Sequence, residues 1–142
     1  VLEDDGHVVR YSQAILVYLA GTYGGLAWWP DHARGQAEIV QWLSFAANEV
    51  QHSLCAARLV EKFGYPLDKE AALAKAPAVL ALLDAHLETN DWLAMGRPTI
   101  ADCAVYPYVV LAPEGSVDLG PYGNVARWMT RLESLPGYLP RP

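Results

Sequence analysis

The chain has 142 residues, of which 53% are hydrophobic and 18% are charged. This composition excludes a largely disordered chain and is typical of one compact unit with a substantial buried core. The formal net charge of −6 argues against a nucleic-acid surface or an anionic membrane as partner, because both need clustered basic residues.

The start of the sequence and its two cysteines indicate in which cellular compartment the protein is expected. No basic segment precedes an apolar stretch, so we expect no signal peptide. The most apolar run, residues 14–29, is interrupted by glycines and is shorter than a membrane-spanning helix needs. Cys55 and Cys103 lie far apart and without the spacing of a zinc site, which is typical of a reducing compartment. We therefore expect a cytoplasmic protein, and the abrupt start at Val1 suggests the interior of a longer chain.

A β-hairpin is predicted at the start of the chain. Asp5-Gly6 separates two short apolar segments, and this dipeptide is favoured in tight hairpin turns because both of its residues reach positive φ. Since two strands alone are marginally stable, we expect the hairpin to belong to a larger sheet.

A helix is predicted next, beginning at Ser12, because serine is a favourable N-cap and the apolar residues that follow recur at helical spacing. Gly21 and the Gly24-Gly25 pair predict its end. Residues 26–30 contain two tryptophans and are predicted to be a linker that docks on the following helices.

Two long helices are predicted in the middle of the chain. The pattern from Asp31 to Gly64 carries an apolar stripe at steps of three or four residues. Its members are Ile39, Leu43, Ala46, Val50, Leu54 and Ala57. The pattern over residues 68–88 contains Pro77, which predicts either a kink or an end followed by a restart. The residues expected to face inward in this second helix are Leu73, Leu80, Leu83 and Leu87.

Two further helices complete a mainly α prediction of five or six helices after one hairpin. Thr99 begins a helix over residues 100–111 that is apolar on nearly every side, so we expect it at the centre of the core. Loops are predicted over residues 90–98 and 113–121, and the last helix over residues 124–135. The apolar face of the last helix comprises Val125, Trp128, Met129 and Leu132.

Thr99 and Asp102 form the most informative local motif. Thr99-Ile100-Ala101-Asp102 has the spacing of a capping box, in which each side chain bonds a backbone amide at the other position. Alone, such a box is common and structural. Followed by Cys-Ala-Val-Tyr at residues 103–106, it resembles the buried capping box that starts the core helix of the glutathione transferase helical domain.

Other segments agree with this resemblance in order and spacing. Residues 2–6 and 12–19 resemble the last hairpin and helix of the thioredoxin-like domain of that family. The resemblance covers essentially the whole chain. It implies a partial thioredoxin-like, glutathione-binding domain at residues 1–25 and an all-helical C-terminal domain at residues 26–142. It also implies that the Tyr, Ser or Cys that activates the glutathione sulfur lies outside these residues.

The resemblance assigns glutathione binding to Tyr11 and Ser12. The matching serine of the family holds the γ-glutamyl carboxylate of glutathione with its hydroxyl and its backbone amide, and a helix N-terminus favours such an anion. Tyr11 stands where the family usually has Glu or Gln and would offer one uncharged hydrogen bond. A plain structural cap is the alternative role for Ser12, and the two roles are compatible.

Polar residues recur every three or four positions along the first long helix. They are Gln41, Ser44, Asn48, His52 and Cys55. This stripe predicts a cleft for an electrophilic cosubstrate, a dimer face or a solvated surface. Asn48 and His52 are candidate residues of the electrophile pocket, together with Tyr106 and Tyr108 of the core helix, for which a core position is the alternative. Glu49-x-x-His52 matches half of a metal site in a helical bundle, but no second acidic motif accompanies it, so no metal is predicted.

The resemblance thus implies part of a glutathione S-transferase, a detoxification enzyme that conjugates glutathione to small hydrophobic electrophiles or uses it for reduction. Glutathione is the cosubstrate, and no permanently bound cofactor is expected. Since no catalytic residue is assigned in this chain, we expect residues 1–142 alone to be inactive. The usual state of the family is a homodimer, and without most of the first domain we expect a weaker or altered assembly. The alternative is a non-catalytic binding or scaffold module of the same family.

Overall fold

An antiparallel hairpin opens the chain in the computed structural model, which describes residues 1–140. Strands β1 (Leu2–Asp4) and β2 (His7–Val9) pair so that Leu2 lies opposite Val9 and Asp4 lies opposite His7. The turn residues Asp5 and Gly6 have φ of 46° and 79°. Both values lie in the left-handed region that Asp-Gly adopts readily, so the predicted hairpin is confirmed.

The rest of the described chain is helical apart from its connections, which confirms the mainly α prediction. The α-helices are α1 (Ser12–Leu19), α2 (Gly25–Trp28), α3 (Ala33–Phe45), α4 (Ala56–Phe63), α5 (Lys69–Thr89), α6 (Ile100–Val110) and α7 (Gly123–Glu133). Two π-helical segments, Ala20–Gly24 and Ala46–Cys55, continue α1 and α3, and a 3₁₀ turn spans Ala112–Gly115.

The helix after β2 differs from its prediction at its first residue and at Gly21, and it agrees at the Gly24-Gly25 pair, where Gly25 leaves the helix with φ of 62°. The N-cap is Tyr11, with φ of 68° and ψ of 131°, and Ser12 is the first helical residue instead of the cap. The helix does not end at Gly21, because this glycine keeps a helical backbone and the chain continues through a π-helical turn to Gly24. The predicted linker at residues 26–30 begins as the one-turn helix α2, and Trp28 packs against the core.

The first long helix is a continuous rod from Ala33 to Phe63 whose middle, Ala46–Cys55, is π-helical. The Ser53 Oγ donates to the Glu49 carbonyl at 2.6 Å, and the His52 Nδ1 lies 2.8 Å from the Asn48 carbonyl oxygen. These side chains occupy carbonyls that the backbone amides four residues later would use, which favours the wider turn. All six residues of the predicted apolar stripe are buried along this helix.

The second long helix, α5, runs through Pro77 without a break. The Asp68 side chain caps it by accepting a bond from the Ala71 amide at 2.9 Å. Leu80, Leu83 and Leu87 are buried as expected. Leu73, the fourth residue predicted to face inward, is only half-buried, beside the loop that precedes α7. The helix is anchored to α7 by the Asp84 Oδ1, which accepts bonds from the Asn124 amide at 2.8 Å and the Val125 amide at 3.1 Å.

The buried side chain of Asp102, at the start of α6, bonds several parts of the core. Both bonds of a capping box are present, with Asp102 Oδ2 accepting from the Thr99 amide at 2.9 Å and Thr99 Oγ1 accepting from the Ala101 amide at 3.2 Å. The other oxygen, Asp102 Oδ1, accepts from the Leu93 amide at 3.1 Å and the Trp128 Nε1 at 2.9 Å. One buried carboxylate therefore joins the loop before α6, α6 itself and α7.

The 3₁₀ turn crosses α4 at very close range, where the sequence predicted loop. A methyl group at Gly115 would lie 2.5 Å from the Arg58 nitrogen and 2.8 Å from the Arg58 Cα, so only a glycine fits this crossing. The neighbouring Glu114 carboxylate is held by Arg58 Nε at 2.8 Å and Lys62 Nζ at 2.9 Å. The crossing is thus fixed by both backbone contact and charge.

Candidate functional site

The turn from β2 into α1 has the least common backbone geometry among the predicted site residues. At φ of 68° and ψ of 131°, Tyr11 lies in a region that non-glycine residues rarely adopt, and its side chain is 82% exposed. The first helical bond runs from the Ile15 amide to the Tyr11 carbonyl at 2.9 Å. The first turn of α1 therefore begins directly after the strained residue.

Ser12 is exposed at the first position of that turn. Its hydroxyl donates to the Gln13 Oε1 at 3.0 Å, which is an exposed contact that an incoming acceptor can replace. In an α-helix the amides of the first turn have no carbonyl partner four residues earlier and carry the positive end of the helix dipole. Ser12 thus combines a hydroxyl, an amide and a favourable potential for one carboxylate.

The hairpin is bound to the helix behind this turn by a carboxylate with two phenol partners. Asp4 Oδ2 accepts a hydrogen bond from the Tyr18 hydroxyl at 3.0 Å and a second one from the Tyr23 hydroxyl. The bonds from Tyr23 and Tyr18 hold the pKa of the Asp4 carboxyl below its usual value. The same bonds to the carboxylate raise the phenol pKa of both tyrosines.

The polar stripe on the first long helix is exposed over most of its length. Asn48 and His52 lie one turn apart in the π-helical segment, and Cys55, at its end, is half-buried. Since His52 Nδ1 bonds the Asn48 carbonyl, Nδ1 carries the proton and Nε2 presents its lone pair to solvent. The Asn48 amide donates to the Glu49 Oε1 at 3.3 Å. The structure brings these two predicted residues together on one accessible face.

Tyr106 and Tyr108 lie apart from this pair, on α6. Tyr106 is 7% exposed, and its hydroxyl donates to the Glu133 Oε1 at 2.7 Å and lies 2.8 Å from the Tyr138 hydroxyl. Burial, with the two hydrogen bonds, raises the phenol pKa of Tyr106 well above its usual value. Tyr108 is half-buried against the core. The Tyr106 hydroxyl is therefore already bonded within the protein.

An apolar cavity of about 640 Å³ adjoins the start of α6. Its lining includes Trp28, Cys103, Leu132, Leu135, Tyr138 and Leu139. Sequence reasoning missed this cavity. Cys103 in its lining and Cys55 elsewhere are free cysteines, and both are half-buried. The lining joins α2, α6 and the residues after α7, which are far apart in sequence, so no local pattern could have indicated it.

A second apolar groove, of about 320 Å³, lies between α1 and α3. It is lined by Gln13, Ala14, Val17, Val40, Leu43, Ser44 and Ala47. Val40 is 44% exposed there, which is high for a branched aliphatic side chain. The groove therefore presents apolar surface beside one end of the polar stripe.

Metal binding and membrane insertion are two other classes of function on which the described residues bear. Within residues 1–140, no cluster of three or more His, Cys, Asp or Glu side chains has the arrangement of a metal site. Over the same part of the chain, no helix is both long enough and apolar enough to cross a membrane.

Comparison with known proteins identifies the family. The family model for the glutathione S-transferase C-terminal domain matches residues 52–136. Glutathione S-transferase D7 of Drosophila melanogaster is 31% identical over 141 residues, which are 96% of this chain and 62% of that protein. The crystal structure of a glutathione S-transferase from Xanthobacter autotrophicus superposes with a TM-score of 0.85 at 29% identity, over 94% of this chain and 66% of that one. The chain belongs to the glutathione S-transferase family, and it spans about 62% of the length of its Drosophila relative.

A relative of another kind is also similar. Elongation factor 1-gamma of Drosophila melanogaster is 36% identical over 105 residues, which are 68% of this chain and 23% of that protein. A segment similar to this chain therefore also occurs within a longer protein of a different name.

Proposed function

We propose that this chain is part of a glutathione transferase that conjugates glutathione to small hydrophobic electrophiles or uses it for reduction. The single observation that carries the proposal is the position of Ser12, exposed at the first residue of α1 directly after the strained Tyr11. In this proposal the Ser12 hydroxyl and amide bind the γ-glutamyl carboxylate of glutathione, and Tyr11 borders the same site. The match of the whole chain to glutathione S-transferases supports this assignment.

The electrophile is proposed to lie against the exposed face of the π-helical segment. Asn48 offers an amide and His52 a free Nε2 lone pair on this face, and π-helical turns occur frequently at functional sites. Tyr108 and Tyr106 are the predicted companions on α6, of which Tyr106 contributes through packing, since its hydroxyl is already bonded. Glutathione acts as cosubstrate, with no permanently bound cofactor.

We assign no catalytic residue within residues 1–142. The proposal therefore places activation of the glutathione sulfur in another part of the protein, and these residues bind and orient the two substrates. The whole protein is proposed to be a cytoplasmic homodimer that serves detoxification. The apolar groove between α1 and α3 supports an interface with a second copy.

Retention on immobilised glutathione tests the anchor. We expect the full-length wild-type protein to bind and its Ser12→Ala variant to bind about tenfold more weakly, the effect of losing one or two hydrogen bonds to a charged group. Ser134→Ala is the matched control, because its exposed hydroxyl bonds the Arg131 carbonyl at the far end of α7. A folded full-length protein that does not bind, or a full-length Ser12→Ala variant that binds as well as the wild type, would contradict the assignment.

A second candidate function is a non-catalytic binding or scaffold module. The similarity to elongation factor 1-gamma favours it, because in that protein the segment similar to this chain is one part, 23% of the length, of a longer protein. The net charge of −6 argues against direct contact with nucleic acid in such a module. Failure of the folded full-length protein to bind glutathione would favour this second function over the first.

A further inference from the structure

The side chain of Asp4 connects three elements that surround the proposed glutathione anchor. It ends β1 and accepts phenol hydrogen bonds from Tyr18 of α1 and Tyr23 of the following π-helical turn. Opposite Asp4 in the hairpin, His7 packs its ring against Tyr18 with centroids 5.3 Å apart. The hairpin and the helix are therefore bonded to each other through one carboxylate.

These contacts complete a closed path, along the chain and back through a hydrogen bond, that includes Tyr11 and Ser12. From Asp4 the chain passes through the hairpin turn and β2 to Tyr11, enters α1 at Ser12 and returns through Tyr18 to the Asp4 carboxylate. The two anchor residues are thus held from both sides, by β2 before them and by α1 after them.

The backbone of Tyr11 needs such support. A φ of 68° with ψ of 131° costs a non-glycine residue free energy and persists only where the surrounding structure imposes it. Because the Tyr11 side chain is 82% exposed, its own packing contributes little to that constraint. The constraint comes from the segments on either side, which Asp4 joins.

We propose that Asp4 is a positioning residue for the Ser12 anchor. By binding Tyr18 and Tyr23, it fixes the angle between the hairpin and α1 and so keeps Tyr11 in the conformation that points the Ser12 hydroxyl and amide at a carboxylate. This role rests on the proposed function, since the carboxylate it serves is that of glutathione. Asp4 itself does not touch the ligand.

The experiment compares isosteric variants of two neighbouring acids. Asp4→Asn removes the charge that both phenols bind, and Asp5→Asn makes the same change one residue away, in a turn position with φ of 46° that Asn tolerates. Tyr23→Phe removes one donor and keeps the ring. The full-length protein is labelled with ¹⁵N, the amide shifts of Tyr11 and Ser12 are recorded, and the dissociation constant for glutathione is measured from their titration.

Asp4→Asn and Tyr23→Phe should displace the two amide signals and weaken glutathione binding by about fivefold or more, while amides of α6 keep their positions. Asp5→Asn should change binding by less than twofold. The double variant Asp4→Asn/Tyr23→Phe should lose no more affinity than the worse single variant, because the bond that Tyr23→Phe removes is one of the two that Asp4→Asn already weakens. A role limited to overall stability would leave the free-state shifts of Tyr11 and Ser12 unchanged at a temperature where every variant is folded.

The outcomes separate this inference from the proposed function. A wild-type chain that binds glutathione together with an Asp4→Asn chain that binds equally well would overturn the positioning role alone. A folded full-length wild-type protein that binds no glutathione would overturn the proposed function and the positioning role with it.

Discussion

The indole Nε1 of Trp128 donates a hydrogen bond of 2.9 Å to Oδ1 of Asp102, which joins α7 to the first turn of α6. The same oxygen accepts the Leu93 amide, and Trp128 and Asp102 are both essentially inaccessible to solvent. Burial raises the pKa of the Asp102 carboxyl, and the bonds from Trp128, Thr99 and Leu93 oppose that rise. The side chain therefore serves as a buried acceptor for three parts of the fold.

Removal of this acceptor should destabilise the protein strongly. Asp102→Ala leaves the buried donors of Thr99, Leu93 and Trp128 without a partner, and we expect a loss of about 3–5 kcal/mol in the free energy of unfolding. Urea denaturation followed by circular dichroism measures it. Asp118→Ala, at an exposed loop position, is the control, and an Asp102→Ala loss below about 1 kcal/mol would contradict this account.

The thiol of Cys103 should be unreactive in the folded protein. Burial, with a smaller effect of the Asp102 charge, raises its pKa from 9.0 to about 11. At pH 8 the fraction of thiolate, the form that reacts, is then lower by a factor of about 100. Alkylation by iodoacetamide, followed by mass spectrometry in a Cys55→Ser background, should be slower by about that factor than in urea. Equal rates in the folded and unfolded states would refute the prediction.

The ion pairs of Glu114 should stabilise the folded protein at neutral pH and lose this effect in acid. Hydrogen bonds from Lys62 and Arg58 lower the pKa of Glu114 below its usual 4.5, so the folded state binds fewer protons than the unfolded state near that pH. The stabilisation is present above pH 4.5 and is lost as the pH falls through the lowered pKa. Glu114→Gln should therefore lower the melting temperature at pH 7 and abolish this part of the acid-induced decrease. Glu88→Gln, exposed on α5, should retain it.

Catalysis by residues 1–142 alone is expected to be negligible. The proposed anchor and cosubstrate face bind substrates but do not lower the pKa of the glutathione thiol, on which the reaction depends. The formation of thioether from glutathione and an aryl halide measures it against the reaction without protein. Robust turnover by the isolated chain would require a thiol-activating group among these residues.

Assembly of the isolated chain should be weak. The groove between α1 and α3 offers apolar surface, but the resemblance implies that these residues hold only part of the thioredoxin-like domain, and a weaker or altered assembly is expected without the rest. Multi-angle light scattering across a range of concentrations should give a mass that depends on concentration. A tight dimer at the lowest measurable concentration would contradict this expectation.

The sequence predicted those parts of the fold that depend on neighbouring residues. The Asp5-Gly6 turn and the Thr99–Asp102 box each need only residues within three positions, and the structure shows both. The π-helical segment escaped prediction because the apolar stripe keeps its ordinary spacing there. The bonds from His52 and Ser53 to carbonyls of their own helix, which favour the wider turn, leave no trace in the periodicity of apolar residues.

The candidate site depends more on distant residues. Tyr106 was predicted beside an electrophile, but whether its hydroxyl is free depends on Glu133 and Tyr138, which lie 27 and 32 positions later. In the same way, the backbone of Tyr11 is set by the hairpin and the helix around it, and no residue preference predicts a tyrosine at φ of 68°. The assignments of Tyr11, Ser12, Asn48 and His52 stay predictions until ligand binding is measured.

The crossing at Gly115 has a consequence for which substitutions the fold accepts. Gly115→Ala should cost about 2–3 kcal/mol, because the new methyl group overlaps the main chain of Arg58, which no rotamer change relieves. Gly21→Ala, at a helical position with open space, should be neutral or stabilising by up to about 1 kcal/mol. If position 115 is randomised and the library is sorted for soluble protein, glycine should be recovered almost exclusively, while the surrounding charges vary. Because the main chain of Arg58 fills the space that a side chain at position 115 would need, this position should accept fewer substitutions during evolution than the charged positions around it.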